Sequence, residues 1–183
     1  AELIGTILND GVRMPTLRID SLHFAADTPY ETRLVNDPHV GKRVMPSEVA
    51  NAMREALSQV VDAGTAKRVS GSFKLADGTP LAMGGKTGTG DNRIEAIGSG
   101  GRILSSKSIN RTATFVFYIG DHHFGTLTAF VPGRSAENFK FTSALPTQVL
   151  KGMAPILTAY LQPGSDSQCR PVEGSSVARL EQH

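Results

Sequence analysis

Gly84-Gly85-Lys86-Thr87-Gly88-Thr89-Gly90 sets one cation and two hydroxyls among positions that carry no side chain to obstruct a ligand. Glycine lets backbone approach a ligand closely, and a lysine ammonium is a compact charge with several donors. The chemistry open to such a stretch is holding an anion. A nucleotide phosphate is the first candidate, because Gly85-Lys86-Thr87 matches the end of a phosphate loop. That motif needs glycine five residues before Gly85, where Pro80 stands. The residues after the lysine, Thr-Gly-Thr-Gly-Asp-Asn, also make a poor start to the helix on which a phosphate loop depends. The phosphate reading fails, and the identity of the anion has to come from the surrounding elements.

Those elements read as a mixed α/β chain. Val49, Ala52, Met53, Ala56, Leu57, Val60 and Val61 recur at helical steps, with Ser47 placed to cap and Gly64 to end the helix. A turn over residues 75–80 feeds Leu81-Ala82-Met83 into the glycine stretch as a strand over 81–90. Residues 98–108, with three glycines and four serines, predict a mobile loop. Residues 111–120 and 125–131 are rich in β-branched and aromatic types and form an antiparallel hairpin across Asp121 to Phe124. From Leu145 a helical pattern runs to Tyr160, with Pro146 near its first turn and Pro155 predicting a kink. Before all of these, the alternation of Leu17, Ile19 and Ser21 with Arg18 and Asp20 predicts a short strand, and residues 25–46 are loop with one brief strand over 31–35. The expected domain covers residues 1–162, and 163–183 read as a disordered tail.

Composition narrows the function. Lys plus Arg at 19 against Asp plus Glu at 17 leaves +2, too even a balance to suggest nucleic acid as a partner. A hydrophobic content of 39% is enough for a real core. No run of about 18 apolar residues occurs, so no membrane contact is expected from these residues. The single cysteine, Cys169, decides nothing about redox compartment. The opening, Ala1-Glu2-Leu3-Ile4, starts at full amphipathic stride without a cap and reads as a cut helix, so the sequence is expected to be part of something longer.

Lys86-Thr87-Gly88-Thr89 after an apolar lead-in, and before a β hairpin and a C-terminal helix, resembles the Lys-Thr-Gly element of the penicillin-recognising serine acyltransferases. Four further segments carry the resemblance: Thr28-Pro29-Tyr30-Glu31-Thr32, Gly64-Thr65-Ala66, Asn110 to Val116, and Phe141-Thr142-Ser143-Ala144-Leu145-Pro146. Together they resemble the C-terminal part of the transpeptidase domain of a bifunctional (class A, glycosyltransferase-linked) penicillin-binding protein. The resemblance implies an α/β (α+β) fold, an antiparallel sheet with packed helices, as a partial penicillin-binding-protein or serine β-lactamase-like fold. It implies a D,D-transpeptidase that cross-links peptidoglycan through a serine acyl-enzyme at the periplasmic face of the inner membrane, without a cofactor. The implied partners are stem peptides ending in D-Ala-D-Ala, β-lactams, and an N-terminal part of the same polypeptide.

The resemblance also assigns roles. Lys86 would supply positive potential and influence proton transfer, and the Thr87 and Thr89 hydroxyls would bind the substrate carboxylate. The Thr89 backbone N–H would be half of an oxyanion hole, and Gly88 and Gly90 would leave the strand edge bare. Apart from the resemblance, Arg93 and Asp91 after the glycine stretch either border the groove and select the donor peptide or are solvated loop charges. The nucleophile is missing. The residues three before each lysine are His39, Gly64, Gly71, Met83, Leu104, Glu137 and Gln148, so no Ser-x-x-Lys occurs. Ser108-Ile109-Asn110 matches the family's Ser-x-Asn triplet but follows Lys-Thr-Gly instead of preceding it, which makes it a chance match. His122-His123 beside Asp121 would point to opposite faces of a strand end and makes no metal site. A β-lactamase or D,D-carboxypeptidase, or a non-catalytic anion-binding module, are the alternative readings.

Overall fold

The computed structural model describes residues 1–16, 19, 21–35 and 41–162. Helix α1 (Glu2–Leu8) leads into β1 (Val12–Arg13), a hairpin of β2 (Ser21–Phe24) and β3 (Thr32–Val35), and β4 (Lys42–Arg43), which pairs with β1. Helix α2 (Ser47–Asp62) precedes the main sheet, formed by β5 (Met83–Ile97), β6 (Ile103–Ile119) and β7 (His123–Pro132), and α3 (Ala144–Leu157) follows it. The three long strands are antiparallel in the order β5-β6-β7, so the glycine stretch lies on an edge strand.

Alternation along β6 divides the packing between two faces. Phe115, Phe117 and Ile119 join Met83, Val61, Val69, Phe73 and Leu150 in the larger core, against which α3 buries one face. Tyr118 points the other way and packs with Ile4 and Ile7 of α1, along with Leu57 and Val116. Both faces of the sheet are therefore covered near the glycine stretch. Two of its glycines are required by this packing. A Cβ at Gly84 would lie 2.4 Å from the buried Tyr118 ring, and one at Gly85 would lie 2.3 Å from the Val116 carbonyl oxygen.

The three long strands and both long helices lie where the sequence predicts them; the short pair β1 and β4 is not predicted, β4 falling in residues read as loop, and four further differences concern element ends. β5 and β6 continue past the expected ends through residues 91–97 and 103–110, so most of the predicted 98–108 loop is strand, and the connection shrinks to a short turn around Ser99–Gly101. Cross-strand pairing explains this: Glu95 stands opposite Ser106 and Ala96 opposite Ser105, and the ladder overrides the local preference of serine. β7 starts at His123, which leaves a tighter turn than the one predicted. The residue preceding α2 is Pro46, and Ser47 is already helical; its hydroxyl accepts from Arg43 Nη1 at 3.4 Å instead of capping. Of the early predicted strand, Leu17, Arg18 and Asp20 lie outside the described residues, and β2 begins only at Ser21; the predicted tail over 163–183 and Cys169 also lie outside them.

The β6–β7 turn is tied to α2. Arg54 donates to the Asp121 carboxylate and lies 5.5 Å over the Tyr118 ring, while the Tyr118 hydroxyl donates to the Arg54 carbonyl at 3.1 Å. The hydrogen bond from Arg54, and then its charge, hold the Asp121 carboxyl below its ordinary range. A lowered folded-state pKa stabilises the fold above the ordinary carboxylate pKa of about 4 and loses that contribution as pH falls through the lowered value. Asp121→Asn should therefore melt slightly below wild type at pH 7. The gap in melting temperature should close as the pH falls below about 4. A gap that widens in acid would contradict this sign.

Candidate active site

Which backbone groups of β5 face outward follows from one hydrogen bond. Gly120 N donates to Ala82 O at 2.7 Å, and the register continues from there as Met83 opposite Ile119. In an antiparallel ladder, a residue directs both its N–H and C=O toward the partner strand, and the next residue directs both away. Even-numbered residues from Ala82 to Gly90 thus bond to β6, and odd-numbered residues turn their backbone groups to the free edge. Thr87 and Thr89 are on that edge. Lys86 confirms the direction: its Nζ folds along the strand and donates to the Thr87 carbonyl at 2.7 Å. Among the described residues nothing accepts from the Thr89 N–H.

Side chains follow the same parity. Lys86 is exposed and shares its face with Gly88 and Gly90, which are also exposed. A Cβ at either glycine would meet nothing within 4 Å, and neither has a positive φ. Packing therefore explains Gly84 and Gly85, but not Gly88 and Gly90, whose bareness leaves the outer part of the edge open. Thr87 and Thr89 share the opposite face, with Cα atoms about 6.8 Å apart along the strand. A single carboxylate can bridge that spacing with one hydrogen bond on each oxygen.

Both hydroxyls already have neighbours. Thr89 Oγ1 accepts from the Ser143 backbone N–H at 2.8 Å, at the start of α3, which leaves its own proton to donate. Thr87 is only 8% exposed, and its Oγ1 lies 2.6 Å from Thr65 Oγ1. Sequence reading assigned Thr87 to the ligand and did not foresee this partner. Gly64-Thr65-Ala66 was visible as a segment, but no spacing rule links a turn after a helix to a strand 22 residues on.

The structure brings Lys86, Thr87, Gly88, Thr89 and Gly90 together and leaves Arg93 apart. Arg93 is seven residues further along the strand, roughly 23 Å from Lys86. Its Nε donates to Asp91 Oδ2 at 2.8 Å and its Nη2 lies in an ion pair with the same oxygen at 2.8 Å, so its charge is paired within its own strand. Ser108, set aside as a chance match, is a buried β6 residue whose hydroxyl donates to the Asn110 carbonyl. No group of acidic, histidine or cysteine side chains among the described residues could hold a metal ion. A separate groove lies between α1, Met14, Pro15 and Phe124, and it includes none of the residues of the glycine stretch.

The family model for the penicillin binding protein transpeptidase domain matches residues 1–99, which is more than half of the chain. Comparison with curated proteins gives no match. Among solved structures, the chain is similar to penicillin binding protein 3 from Mycobacterium tuberculosis complexed with aztreonam. The TM-score is 0.51 and the identity 21%, over 86% of this chain and 33% of that one. It is also similar to the D,D-transpeptidase domain of a peptidoglycan glycosyltransferase from Eggerthella lenta, with a TM-score of 0.52 and 20% identity, over 87% of this chain and 30% of that one. At this level of identity the likeness is one of fold, and the chain spans about a third of either solved protein.

Proposed function

The chain belongs to the penicillin-binding protein transpeptidase family, and from that premise we propose that β5 is one wall of a D,D-transpeptidase site that holds the C-terminal carboxylate of a D-Ala-D-Ala stem peptide or of a β-lactam. The observation that carries the reading is the free edge at residues 86–90. There, one exposed ammonium, two hydroxyls on one face and an outward backbone N–H stand beside two glycines that no packing requires.

On this reading the Thr87 and Thr89 hydroxyls donate to the carboxylate, with Lys86 supplying positive potential; such charge-assisted bonds are about twice as strong as neutral ones. That fixes the terminal residue and lays the scissile carbonyl against the strand edge at Gly88. When a serine oxygen attacks this carbonyl, the developing oxyanion accepts from the Thr89 N–H, a contact worth about 3 kcal/mol. The peptide bond to the terminal D-Ala then breaks, the leaving amine takes a proton, and an acyl-enzyme ester remains for an acceptor amine. These 183 residues contain no Ser-x-x-Lys, so the serine and its base come from another part of the same domain, N-terminal to them. We further propose that the parent is a bifunctional class A protein, as the segments around Thr28, Gly64, Asn110 and Phe141 suggest, working at the periplasmic face of the inner membrane. No helix among the described residues is long and apolar enough to cross a membrane.

Labelling tests the division of the site. The purified 183-residue chain should take no covalent label from a fluorescent penicillin, and the same chain extended through the Ser-x-x-Lys segment should be labelled. Covalent label on the 183 residues alone would contradict the proposal.

A further inference from the structure

We infer that Thr65 is a positioning residue for the carboxylate site: it donates a hydrogen bond to Thr87 Oγ1 and so turns the Thr87 proton toward the ligand. The inference rests on the carboxylate reading above and adds a residue that it did not contain. A hydroxyl has one proton and two acceptor lone pairs. At 2.6 Å the two oxygens share a single hydrogen bond, and either can be its donor. If Thr87 donates, its proton is spent on Thr65 and none is left for an anion. If Thr65 donates, the Thr87 proton is free, and the bond it receives polarises it further. An anion at the edge selects the second arrangement.

The turn that carries Thr65 is built to hold it in place. Ala66 and Val69 beside it are fully buried in the larger core. Ala66 N donates to Val60 O at 3.0 Å, and Lys67 N to Gly64 O at 3.2 Å. A Cβ at Gly64 would lie 2.9 Å from Val60 backbone, so the chain leaves α2 too tightly for a larger residue there. Thr65 itself is exposed, above a Thr87 that is nearly buried. Its hydroxyl is therefore anchored through the backbone rather than by packing of its own side chain, and its loss should alter the hydrogen bond without opening the core.

The test compares two ligands on the intact transpeptidase domain: acetyl-D-Ala-D-Ala and its C-terminal amide. The readout is the ratio of their dissociation constants, with the melting temperature followed alongside. Thr65→Val should reduce the preference for the carboxylate about three- to tenfold, the worth of one hydrogen bond, and Thr65→Ser should restore it. Amide binding should not change in either variant. Equal weakening of both ligands by Thr65→Val, or no change in the ratio, would overturn the inference while Thr87→Val still abolishes the preference. If Thr87→Val also leaves the ratio unchanged, the carboxylate reading itself fails and this inference falls with it.

Discussion

Replacing Lys86 by methionine in the intact transpeptidase domain should slow β-lactam acylation by about 10²- to 10⁴-fold, the usual worth of a group that moves protons in a transition state. The fold should be indifferent. Lys86 is exposed, and among the described residues its side chain hydrogen-bonds only to the carbonyl of the next residue on its own strand. Methionine keeps most of the stem and removes the charge, so the melting temperature should stay within the range of ordinary surface changes. Lys86→Arg then separates the two jobs assigned to the side chain. A guanidinium keeps the positive field but does not give up a proton in a protein. If Lys86 supplies both field and proton, the arginine variant should acylate faster than the methionine variant and slower than wild type. Two variants with equal rates would remove the field from the explanation.

The four glycines of the stretch should separate into two pairs. Gly84→Ala forces a methyl against the Tyr118 ring, which is buried and held by its hydroxyl to the Arg54 carbonyl. Gly85→Ala meets the Val116 carbonyl oxygen and the Phe115 ring, and a backbone atom in a sheet cannot step aside as a flexible side chain can. Each change should cost about 1–3 kcal/mol through overpacking, and so lower the melting temperature by about 2–4 °C for every kcal/mol in a chain of this size. A Cβ at Gly88 or Gly90 meets nothing within 4 Å, so Gly88→Val and Gly90→Val start from open space. They should leave the melting temperature nearly unchanged while Gly88→Val slows acylation by up to about 10²-fold, because a displaced scissile group loses its alignment. Thermal denaturation together with acylation rates checks both halves. Gly88→Val with wild-type acylation would mean that the open edge is not where the ligand lies.

Most of this architecture could be read from residue types, because its signals are local. β-branched and aromatic runs mark β7 and the inner half of β6, an apolar lead-in marks the start of the glycine-rich β5, and the three- and four-residue steps in α2 and α3 are unambiguous. The extension of β5 and β6 past Gly90 was not legible. Its residues are those of a loop, and they are held extended by partners on the opposite strand: Arg93 across from Ser108, and Ser106 donating to the Glu95 carboxylate at 3.2 Å. The site shows the same limit. Lys86, Thr87 and Thr89 follow from one contiguous motif, and the parity of a strand puts both threonines on one face. That Thr65 holds Thr87 and Ser143 holds Thr89 depends on chain returns over 22 and 54 residues, which no spacing encodes. The difference between packing glycines and open ones was equally hidden, since Gly84 and Gly88 look alike until Tyr118 is seen over one of them.

On the proposed function, the free edge of β5 receives the carboxylate and the reacting carbonyl of one ligand. A crystal structure of the intact domain acylated by a β-lactam tests it most directly. The ester carbonyl oxygen should lie about 2.7–3.1 Å from the Thr89 backbone nitrogen, with the carboxylate accepting from the Thr87 and Thr89 hydroxyls. A carboxylate bound away from both threonines, or a carbonyl oxygen with no donor from β5, would contradict it.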